Sequence, residues 1–312
     1  MAGHMTVGRT CNSLEPSPPP RFIFGRTLPG AVHFQFARRW LVVLVAAAVA
    51  LVAISAYLSL PRAYVLLATT TSTRDTGLLP YLLPQFTAKT GIDVRYVAVG
   101  TGQALDLGRS GDVDVVMVHA PLLEEAFVAV GDGLCRNLIM YNRFVVVGPV
   151  ADPAGVRSAA NATDAFLRIH STSARFESRA DNSGTYNKEQ EIWAATGLNP
   201  STFGSWYEKT NQGMGQTLTI ANERNAYTLS DDGTWYAREG SLPYLGLLYA
   251  QDEPVLQNQY SVIPVNPAAH PEVRSAQAVA FARWLVGDGQ ALIAAFTVNG
   301  HAIFTPNGAG AC

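Results

Sequence analysis

The chain has 312 residues, of which 48% are hydrophobic and 15% are charged. This composition supports one large or two medium hydrophobic cores and excludes a globally disordered chain. The formal net charge is −2, but residues 1–56 carry five arginines and one glutamate, which leaves a net charge of −6 for the rest. An acidic body excludes a general nucleic-acid-binding protein, because that class needs a basic face.

The first part of the chain predicts a tail followed by a hydrophobic segment. Residues 1–37 contain closely spaced prolines and glycines without periodicity, so we expect a disordered cytoplasmic N-terminus. Arg38 and Arg39 then precede 21 uncharged residues, 40–60, a length that spans a bilayer. The two arginines orient the tail toward the cytoplasm and the rest of the chain toward the outside. Residues 38–61 are therefore predicted to be a transmembrane anchor, with a cleaved signal segment as the alternative.

The cysteines are Cys11, Cys135 and Cys312, and none of them forms a CxxC pair, so the sequence does not favour a zinc site. Cys135 and Cys312 both follow the hydrophobic segment and can form a disulfide in an oxidising compartment. Two unpaired thiols remain the alternative, because disulfide geometry is not encoded in spacing.

From residue 64 onward, strand-like and helix-like segments alternate. Strands are predicted at residues 64–70, 94–99 and 113–118, with helices between them, and this order is a βαβαβ unit. A second grouping of the same kind occupies residues 150–258. The sequence therefore predicts two α/β lobes with a cleft between them, where ligands bind at the C-terminal ends of the strands.

The first of these strands runs into an unusually hydroxyl-rich turn. Four threonines and one serine fill residues 69–73, directly before the next helix. Hydroxyl groups and unpaired backbone N–H groups at a helix start can hold an anion. An ordinary helix cap needs only one or two such hydroxyls. We therefore interpret the turn as half of an oxyanion site, with a capped strand-to-helix loop as the alternative.

The other half is predicted where a short strand ends at Arg179. A guanidinium group can hold an oxyanion through two N–H groups at once. Asp181 is placed to orient Arg179, and Ser183, Gly184 and Thr185 begin a helix and add donors. The alternative is a surface ion pair beside a capped helix.

Two glycine-rich turns are weaker candidates. Thr101 stands between Gly100 and Gly102, but the third glycine of a dinucleotide-binding loop is missing. Met214 and Gly215 begin a further helix and form a possible third donor loop. Both patterns are equally consistent with ordinary tight turns.

Patterns typical of enzymes are absent: the sequence contains no GxSxG, HExxH or GxxxxGK[ST]. His119 follows a strand, and a lone histidine there is most simply structural. Glu124 and Glu125 are expected on an exposed helix face. We therefore expect no catalysis, no metal site and no cofactor.

The motifs, taken in order, resemble the tungstate-binding proteins of Tup-type ABC transporters. The matching stretches are residues 69–79, 97–104, 114–121, 140–142, 178–185, 213–218 and 226–231. The resemblance implies a type II periplasmic-binding-protein fold, with two α/β lobes joined by crossover strands near residues 141–147 and 260–265. Lobe 1 is then expected at residues 64–148 and 260–312, and lobe 2 at residues 149–259.

The resemblance also implies a function. Members of this family capture tungstate, or molybdate, and deliver the oxyanion by hinge closure to an ABC permease and its ATPase. The expected protein is a monomer on the outer face of the membrane, or free in the periplasm if the N-terminal segment is cleaved. The alternative is a membrane-anchored oxyanion sensor without a transport role.

The predicted oxyanion site combines the two turns. Its residues are Thr70, Thr71, Ser72, Thr101, Arg179, Ser183, Gly184 and Thr185, with Gly102, Met214 and Gly215 as weaker candidates. A site made only of donors accepts a dianion without protons and rejects phosphate, whose proton needs an acceptor. Whether Asp181 enters the site is therefore a discriminating question.

Overall fold

The computed structural model describes residues 31–58 and 62–310. The chain divides into two compact units, Met1–Pro61 and Arg62–Cys312. In the first unit, helix α1 spans Ala31–Leu58 and contains most of the predicted hydrophobic run. This helix begins ahead of Arg38, within the stretch that was predicted to be irregular.

Within the described residues, no helix combines the length and the hydropathy needed to cross a membrane. Residues 1–30 of the tail predicted at residues 1–37, and the end of the hydrophobic run at residues 59–61, lie outside the described residues. So do Cys11 and Cys312, and with them the predicted disulfide.

The second unit alternates strands and helices. Its helices are α2 (Thr71–Asp75), α3 (Leu78–Thr90), α4 (Thr101–Arg109), α5 (Pro121–Ala129), α6 (Ala162–Ser171), α7 (Gly184–Ala195), α8 (Met214–Arg224), α9 (Asp232–Arg238), α10 (Ser275–Val286) and α11 (Gly289–Ala295). Its strands are β1 (Tyr64–Thr70), β2 (Asp93–Val99), β3 (Val115–Val118), β4 (Asn137–Pro149), β5 (Phe176–Ser178), β6 (Tyr207–Lys209), β7 (Thr228–Asp231), β8 (Leu245–Tyr249), β9 (Gln257–Pro264), β10 (Thr297–Val298), β11 (His301–Ala302) and β12 (Thr305–Ala309).

The main sheet has the strand order β12-β4-β9-β3-β1-β2. Strand β1 is parallel to β2 and to β3, as the predicted βαβαβ unit requires. Strand β9 is antiparallel to β3 and to β4. The C-terminal ends of β1 and β3 therefore lie side by side, and the residues that follow these strands, from Thr71 and from His119, come together.

Strand β4 belongs to two groups of strands. Residues 137–143 pair with β9, whereas residues 144–149 pair with β7 and β8. Asn142 of β4 lies directly opposite Asn258 of β9, next to the point where β4 changes partners. One long strand thus carries the chain from one half of the unit into the other.

Each half has its own hydrophobic core. The first core contains Leu67, Phe86 and Phe281, and the rings of the two phenylalanines meet edge to face at 5.1 Å between centroids. The second contains Phe166 and Trp193, whose centroids lie 4.6 Å apart. A smaller cluster around Leu105 and Phe127 adjoins the first core, and one around Met214 and Trp235 adjoins the second. We call the elements of the first pair lobe 1 (α2–α5, α10, α11, β1–β3, β9–β12) and those of the second pair lobe 2 (α6–α9, β5–β8), with β4 shared.

The chain returns from lobe 2 to lobe 1 at the start of β9. Leu256 is buried in the second core and Tyr260 in the first. The passage therefore lies ahead of the predicted crossover at residues 260–265. The sequence predicts β9 only from its apolar run, which begins at residue 260. In the structure β9 begins earlier, because the polar residues Gln257, Asn258 and Gln259 also pair with β4.

Candidate functional site

The hydroxyl-rich turn is shorter than the sequence implies. Strand β1 runs through Thr70 and α2 begins at Thr71, so no loop residue separates them. The hydroxyl of Thr69 donates to the carbonyl oxygen of Met117 at 2.8 Å and ties β1 to β3. Thr70 Oγ1 shares hydrogen bonds with Ser72 Oγ at 3.0 Å and with Thr73 Oγ1 at 2.8 Å. The turn thus gathers buried hydroxyl groups at the start of α2.

Thr71 differs from the other hydroxyl residues of this turn. Its Oγ1 is buried and has no hydrogen-bond partner within the described residues. A buried hydroxyl without a partner costs about 1–3 kcal/mol, so folded proteins rarely keep one unless something else binds it. Gly213 of lobe 2 lies opposite, where a Cβ atom would stand 3.2 Å from Thr71 Oγ1. The unpaired hydroxyl therefore lies at the boundary between the lobes.

Arg179 brings a buried positive charge to the same boundary. It follows β5 and is only 2% exposed. Its Nη2 donates to Asp181 Oδ2 at 2.6 Å, its Nη1 to Thr185 Oγ1 at 3.4 Å, and its Nε to the carbonyl oxygen of Gln212 at 3.3 Å. Gln212 directly precedes Gly213. The same short segment of lobe 2 therefore accepts a hydrogen bond from the guanidinium group and lies next to the unpaired Thr71 hydroxyl.

Asp181 orients Arg179, as the sequence predicts. Its second oxygen, Oδ1, accepts from the backbone N–H of Ser183 at 3.2 Å, so both oxygens are engaged. The intervening loop bends sharply, with Ala180 at φ 49° and Asn182 at φ 53°. Residues other than glycine in this region are strained, and such strain clusters at ligand sites. The carboxylate therefore holds the guanidinium group and also fixes the backbone at the start of α7.

The start of α7 contacts lobe 1 directly. Gly184 donates its N–H to Thr101 Oγ1 at 3.1 Å, and Gly102 donates its N–H to the carbonyl oxygen of Asn182 at 3.2 Å. Ser183 caps α7, because its Oγ accepts from the backbone N–H of Tyr186 at 3.2 Å. Thr101 and Gly102 thus join the lobes, and the N–H groups of Gly102 and Gly184 are already used.

The two residues of the third predicted loop, Met214 and Gly215, have different roles. Met214 is fully buried in the core of lobe 2, beside Leu218 and Trp235, so its side chain does not face the cleft. A Cβ atom on Gly215 would stand 3.1 Å from Asp75 Oδ2 of lobe 1. Gly215 therefore serves the close approach of the lobes.

Glycines recur wherever the lobes meet. A Cβ atom on Gly184 would stand 2.4 Å from the carbonyl oxygen of His119, and one on Gly100 would stand 3.0 Å from that of Asp181. On Gly102 it would meet Asn182 Nδ2 at 2.3 Å. At Gly184 the clash is with backbone, so this position admits only glycine while the lobes are in contact, whereas the Asn182 side chain opposite Gly102 can move aside.

The sequence predicts a structural role for His119, and the structure shows in addition that its ring contacts Ser72 of the hydroxyl-rich turn. It is 2% exposed, its Nε2 lies 3.2 Å from Ser72 Oγ, and its Nδ1 lies 2.8 Å from Asn258 Oδ1. Burial, followed by the charge of Arg179, lowers the pKa of His119 to about 4, so the ring is neutral at neutral pH. The available signal was positional: His119 follows β3, the parallel neighbour of the strand that ends at Thr70.

Two adjacent acidic residues, Asp231 and Asp232, lie on the lobe 2 side of the boundary between the lobes. Asp231 caps α9, accepting from the N–H and the hydroxyl of Thr234 at 2.8 and 2.7 Å. Burial raises the pKa of Asp231, against the opposing effect of the Arg179 charge. Burial also raises the pKa of Asp232 to about 7, and the neighbouring charge of Asp231 adds to the shift.

A groove of about 650 Å³ lies beside this site. It is lined by Leu122 and Leu123 of lobe 1, Phe144 of β4 and Lys188 of α7, and it reaches His119. Its lining is predominantly apolar, which does not suit a small anion. The polar residues of the two turns lie apart from it, at the contact between the lobes.

Comparison with known proteins identifies the family. The profile described as the PBP superfamily domain matches residues 55–289. The tungstate-binding protein TupA of Peptoclostridium acidaminophilum is 43% identical over 251 residues, covering 78% of this chain and 86% of that protein.

Two solved structures are similar along most of the second unit. The tungstate-binding protein TupA from Desulfovibrio alaskensis G20 superimposes with a TM-score of 0.68 at 45% identity, covering 79% of this chain and 100% of that one. The tungstate ABC transporter structure from Geobacter sulfurreducens gives a TM-score of 0.69 at 44% identity, covering 75% and 98%. The chain therefore belongs to the PBP superfamily and, within it, to the TupA family of substrate-binding proteins of ABC transporters.

Proposed function

We propose that this chain captures a tetrahedral oxyanion, tungstate or molybdate, between its two lobes and delivers it to an ABC permease and its ATPase. The observation that carries the proposal is the unpaired, buried hydroxyl of Thr71 opposite the segment that holds Arg179. The names of the similar proteins describe tungstate binding and support the same ligand.

The chemistry of the site suits such an ion. Tungstate is a dianion with four acceptor oxygens, and each of them must meet donors when a closed cleft excludes water. Arg179 supplies one full charge, the unpaired hydroxyl of Thr71 adds a neutral donor, and Thr70 and Ser72 lie beside it at the start of α2, where backbone N–H groups are free to donate. Both oxygens of Asp181 already accept a hydrogen bond, one from Arg179 and one from the Ser183 N–H, and these bonds compete with the proton of a hydrogen phosphate for the carboxylate.

The proposed mechanism is hinge closure about the two passages between the lobes. The proposed lobes are residues 64–148 with 260–312 and residues 149–259, in a type II arrangement. The shared strand β4 and the start of β9 supply the hinge. Hydrogen bonds from Gly184 to Thr101 and from Gly102 to Asn182 hold the closed form.

The proposed location is the outer face of the cell membrane, because the relatives deliver to a membrane transporter. Residues 38–61 then act as an anchor or as a cleaved signal segment. A monomer with a disulfide between Cys135 and Cys312 completes this proposal, since an oxidising compartment favours such a pair.

Titration calorimetry of residues 62–312 with tungstate, molybdate, sulfate and phosphate tests the ligand. We expect heat and thermal stabilisation with tungstate and molybdate, and little response to phosphate. No binding of any of the four ions would contradict an oxyanion site, and a preference for phosphate would contradict the assigned ligand class.

A further inference from the structure

His119 contacts three parts of the molecule that have to work together. It follows β3 in lobe 1, and its ring stacks on Tyr260 at 4.7 Å between centroids. One ring nitrogen meets Ser72 of the hydroxyl-rich turn, and the other meets Asn258 at the start of β9. Its backbone carbonyl faces Gly184 of lobe 2.

The hydrogen bonds around the ring have a fixed direction. Asn258 Nδ2 donates to Asn142 Oδ1 at 2.7 Å and to the Tyr260 hydroxyl at 3.2 Å, which leaves Asn258 Oδ1 as an acceptor. The Nδ1 of His119 must therefore carry the proton in their 2.8 Å hydrogen bond. A neutral ring has only one N–H, so Nε2 is an acceptor and Ser72 donates its hydroxyl proton to it.

The two asparagines that set this direction belong to the strands that connect the lobes. Asn142 is 2% exposed and Asn258 is 1% exposed, and they lie opposite each other between β4 and β9. Asn258 Nδ2 donates to both Asn142 Oδ1 and the Tyr260 hydroxyl, and these two bonds fix the orientation of the Asn258 amide, whereas Nδ2 of Asn142 has no partner within the described residues. The network runs from the hinge through His119 to the turn that holds the anion.

The same residue limits how lobe 2 approaches. A Cβ atom on Gly184 would stand 2.5 Å from His119 Nδ1, in addition to its clash with the carbonyl oxygen. Only a residue without a side chain can rest against the imidazole there. The position of the ring therefore fixes both the direction of the Ser72 hydroxyl and the place where α7 begins against lobe 1.

We propose that His119 is a positioning residue for the oxyanion site: held by Asn258, it orients Ser72 and forms the surface on which Gly184 rests when the lobes close. Ser72 then offers the anion its backbone N–H, while its hydroxyl is committed to the ring. This inference rests on the proposed function, because the ligand is the oxyanion named there.

Replacement of His119 by two different amides separates its two contacts. In His119→Gln the longer side chain reaches the Nε2 position and can still accept from Ser72, whereas in His119→Asn the shorter side chain reaches only Asn258. We expect His119→Asn to weaken tungstate binding by the full chain roughly tenfold, the effect of losing one hydrogen bond. His119→Gln should retain most of the affinity.

A double-mutant cycle shows whether His119 acts through Ser72. In a Ser72→Ala background, His119→Asn should have little further effect on tungstate affinity, because the contact is already lost. His301→Asn is the matched control: His301 is exposed and stacks on Tyr236, and its replacement should leave affinity unchanged. Equal losses for the two amides, or losses that simply multiply in the Ser72→Ala background, would overturn the proposal.

A ligand-free measurement keeps this inference separate from the proposed function. Long-range ¹H–¹⁵N NMR correlations of the His119 ring should show a protonated Nδ1 and an unprotonated Nε2. The opposite tautomer would overturn the assigned direction even if tungstate binds. If the wild-type protein binds no oxyanion, the proposed function fails, while the tautomer still decides whether Asn258 orients His119.

Discussion

Thr71 of lobe 1 and Gly213 of lobe 2 are so close that a Cβ atom on the glycine would stand 3.2 Å from the threonine hydroxyl. That hydroxyl is buried and unpaired within the described residues. The two lobes therefore meet around a donor that no other described residue satisfies. In a molecule that binds an anion at this boundary, such a donor lowers stability in order to gain affinity.

The Thr71 hydroxyl should matter for the ligand and not for folding. Thr71→Val keeps the shape of the side chain and removes the unpaired donor, so the free energy of unfolding should stay equal or rise by about 1 kcal/mol. Tungstate affinity should fall roughly tenfold for one lost hydrogen bond. Urea unfolding and calorimetry measure the two quantities.

Thr69→Val is the matched control, because the hydroxyl of Thr69 donates to Met117 and does not face the other lobe. This variant should lose about 1–2 kcal/mol of stability and keep its affinity for tungstate. If both valine variants behave alike, the Thr71 hydroxyl is not part of the site.

Arg179 should supply the largest single contribution to binding. Arg179→Ala should weaken tungstate binding by about 2–5 kcal/mol, the range for truncating one partner of a buried charged contact. Arg179→Lys should restore only part of this, since an ammonium group cannot reproduce the three directions in which the guanidinium donates. The exposed Arg175 is the control, and unchanged affinity in Arg179→Ala would move the site elsewhere.

The glycines between the lobes should differ in their tolerance of alanine. In Gly184→Ala the new methyl group meets a backbone carbonyl at 2.4 Å, whereas in Gly102→Ala it meets the end of the exposed Asn182 side chain at 2.3 Å. A side chain can rotate away and a backbone carbonyl cannot. Gly184→Ala should therefore abolish most tungstate binding, and Gly102→Ala should reduce it less.

Small-angle scattering with and without tungstate follows the closure in these variants. Gly240→Ala serves as the control, because nothing lies within 4 Å of the added atom. The wild-type protein and this control should respond alike to tungstate, and Gly184→Ala should keep its ligand-free scattering curve when tungstate is added. Full closure of Gly184→Ala would refute the steric argument.

Glu189 should make stability depend on pH. Burial raises the pKa of Glu189 to about 7, and its carboxylate accepts from the Tyr207 hydroxyl at 2.5 Å. The folded state then holds a proton that the unfolded chain releases near pH 4.3, so stability falls as the pH rises from about 4 to 7. Glu189→Gln removes this titration and keeps an oxygen for Tyr207.

As the pH rises from 5 to 8, the free energy of unfolding of Glu189→Gln should therefore increase by roughly 1–3 kcal/mol relative to that of the wild-type protein. Denaturant unfolding at both pH values measures the difference. Glu191→Gln, on the exposed face of the same helix, should leave the pH dependence as it is in the wild-type protein. Parallel pH profiles for the wild-type protein and Glu189→Gln would contradict the assignment.

The sequence predicts elements best where the chemistry is local. Strand β1 has the predicted bounds, residues 64–70, because its apolar run is continuous and ends at the hydroxyl-rich turn. Glu124 shows the limit: the prediction of an exposed helix face is wrong. Its side chain is fully buried, where its carboxylate accepts from Arg136 at 2.6 Å and from the Ser261 hydroxyl at 2.7 Å.

The sequence predicts which residue types lie at the candidate site, but it does not predict which of their hydrogen-bond donors remain available to a ligand. Thr71 lies against Gly213, and the Arg179 turn lies against Thr101 and Gly102, but the N–H groups of Gly102 and Gly184 are used in hydrogen bonds to the opposite lobe and Met214 packs into a core. The contacts of His119 could not be predicted either, because its partners Ser72 and Asn258 are remote in sequence. Spacing along one chain carries no information on which donors a neighbouring lobe has already used.

The shared strand β4 has a mechanical consequence. It is one uninterrupted strand of 13 residues that changes hydrogen-bond partners next to Asn142, so backbone and not a slack linker joins the halves. In the proposed closure, one half rotates against the other about this strand, where its pairing changes from β9 to β7. A continuous strand limits the directions of such a rotation more than a loop does, so the proposed closure brings Arg179 and Thr71 together along a restricted path.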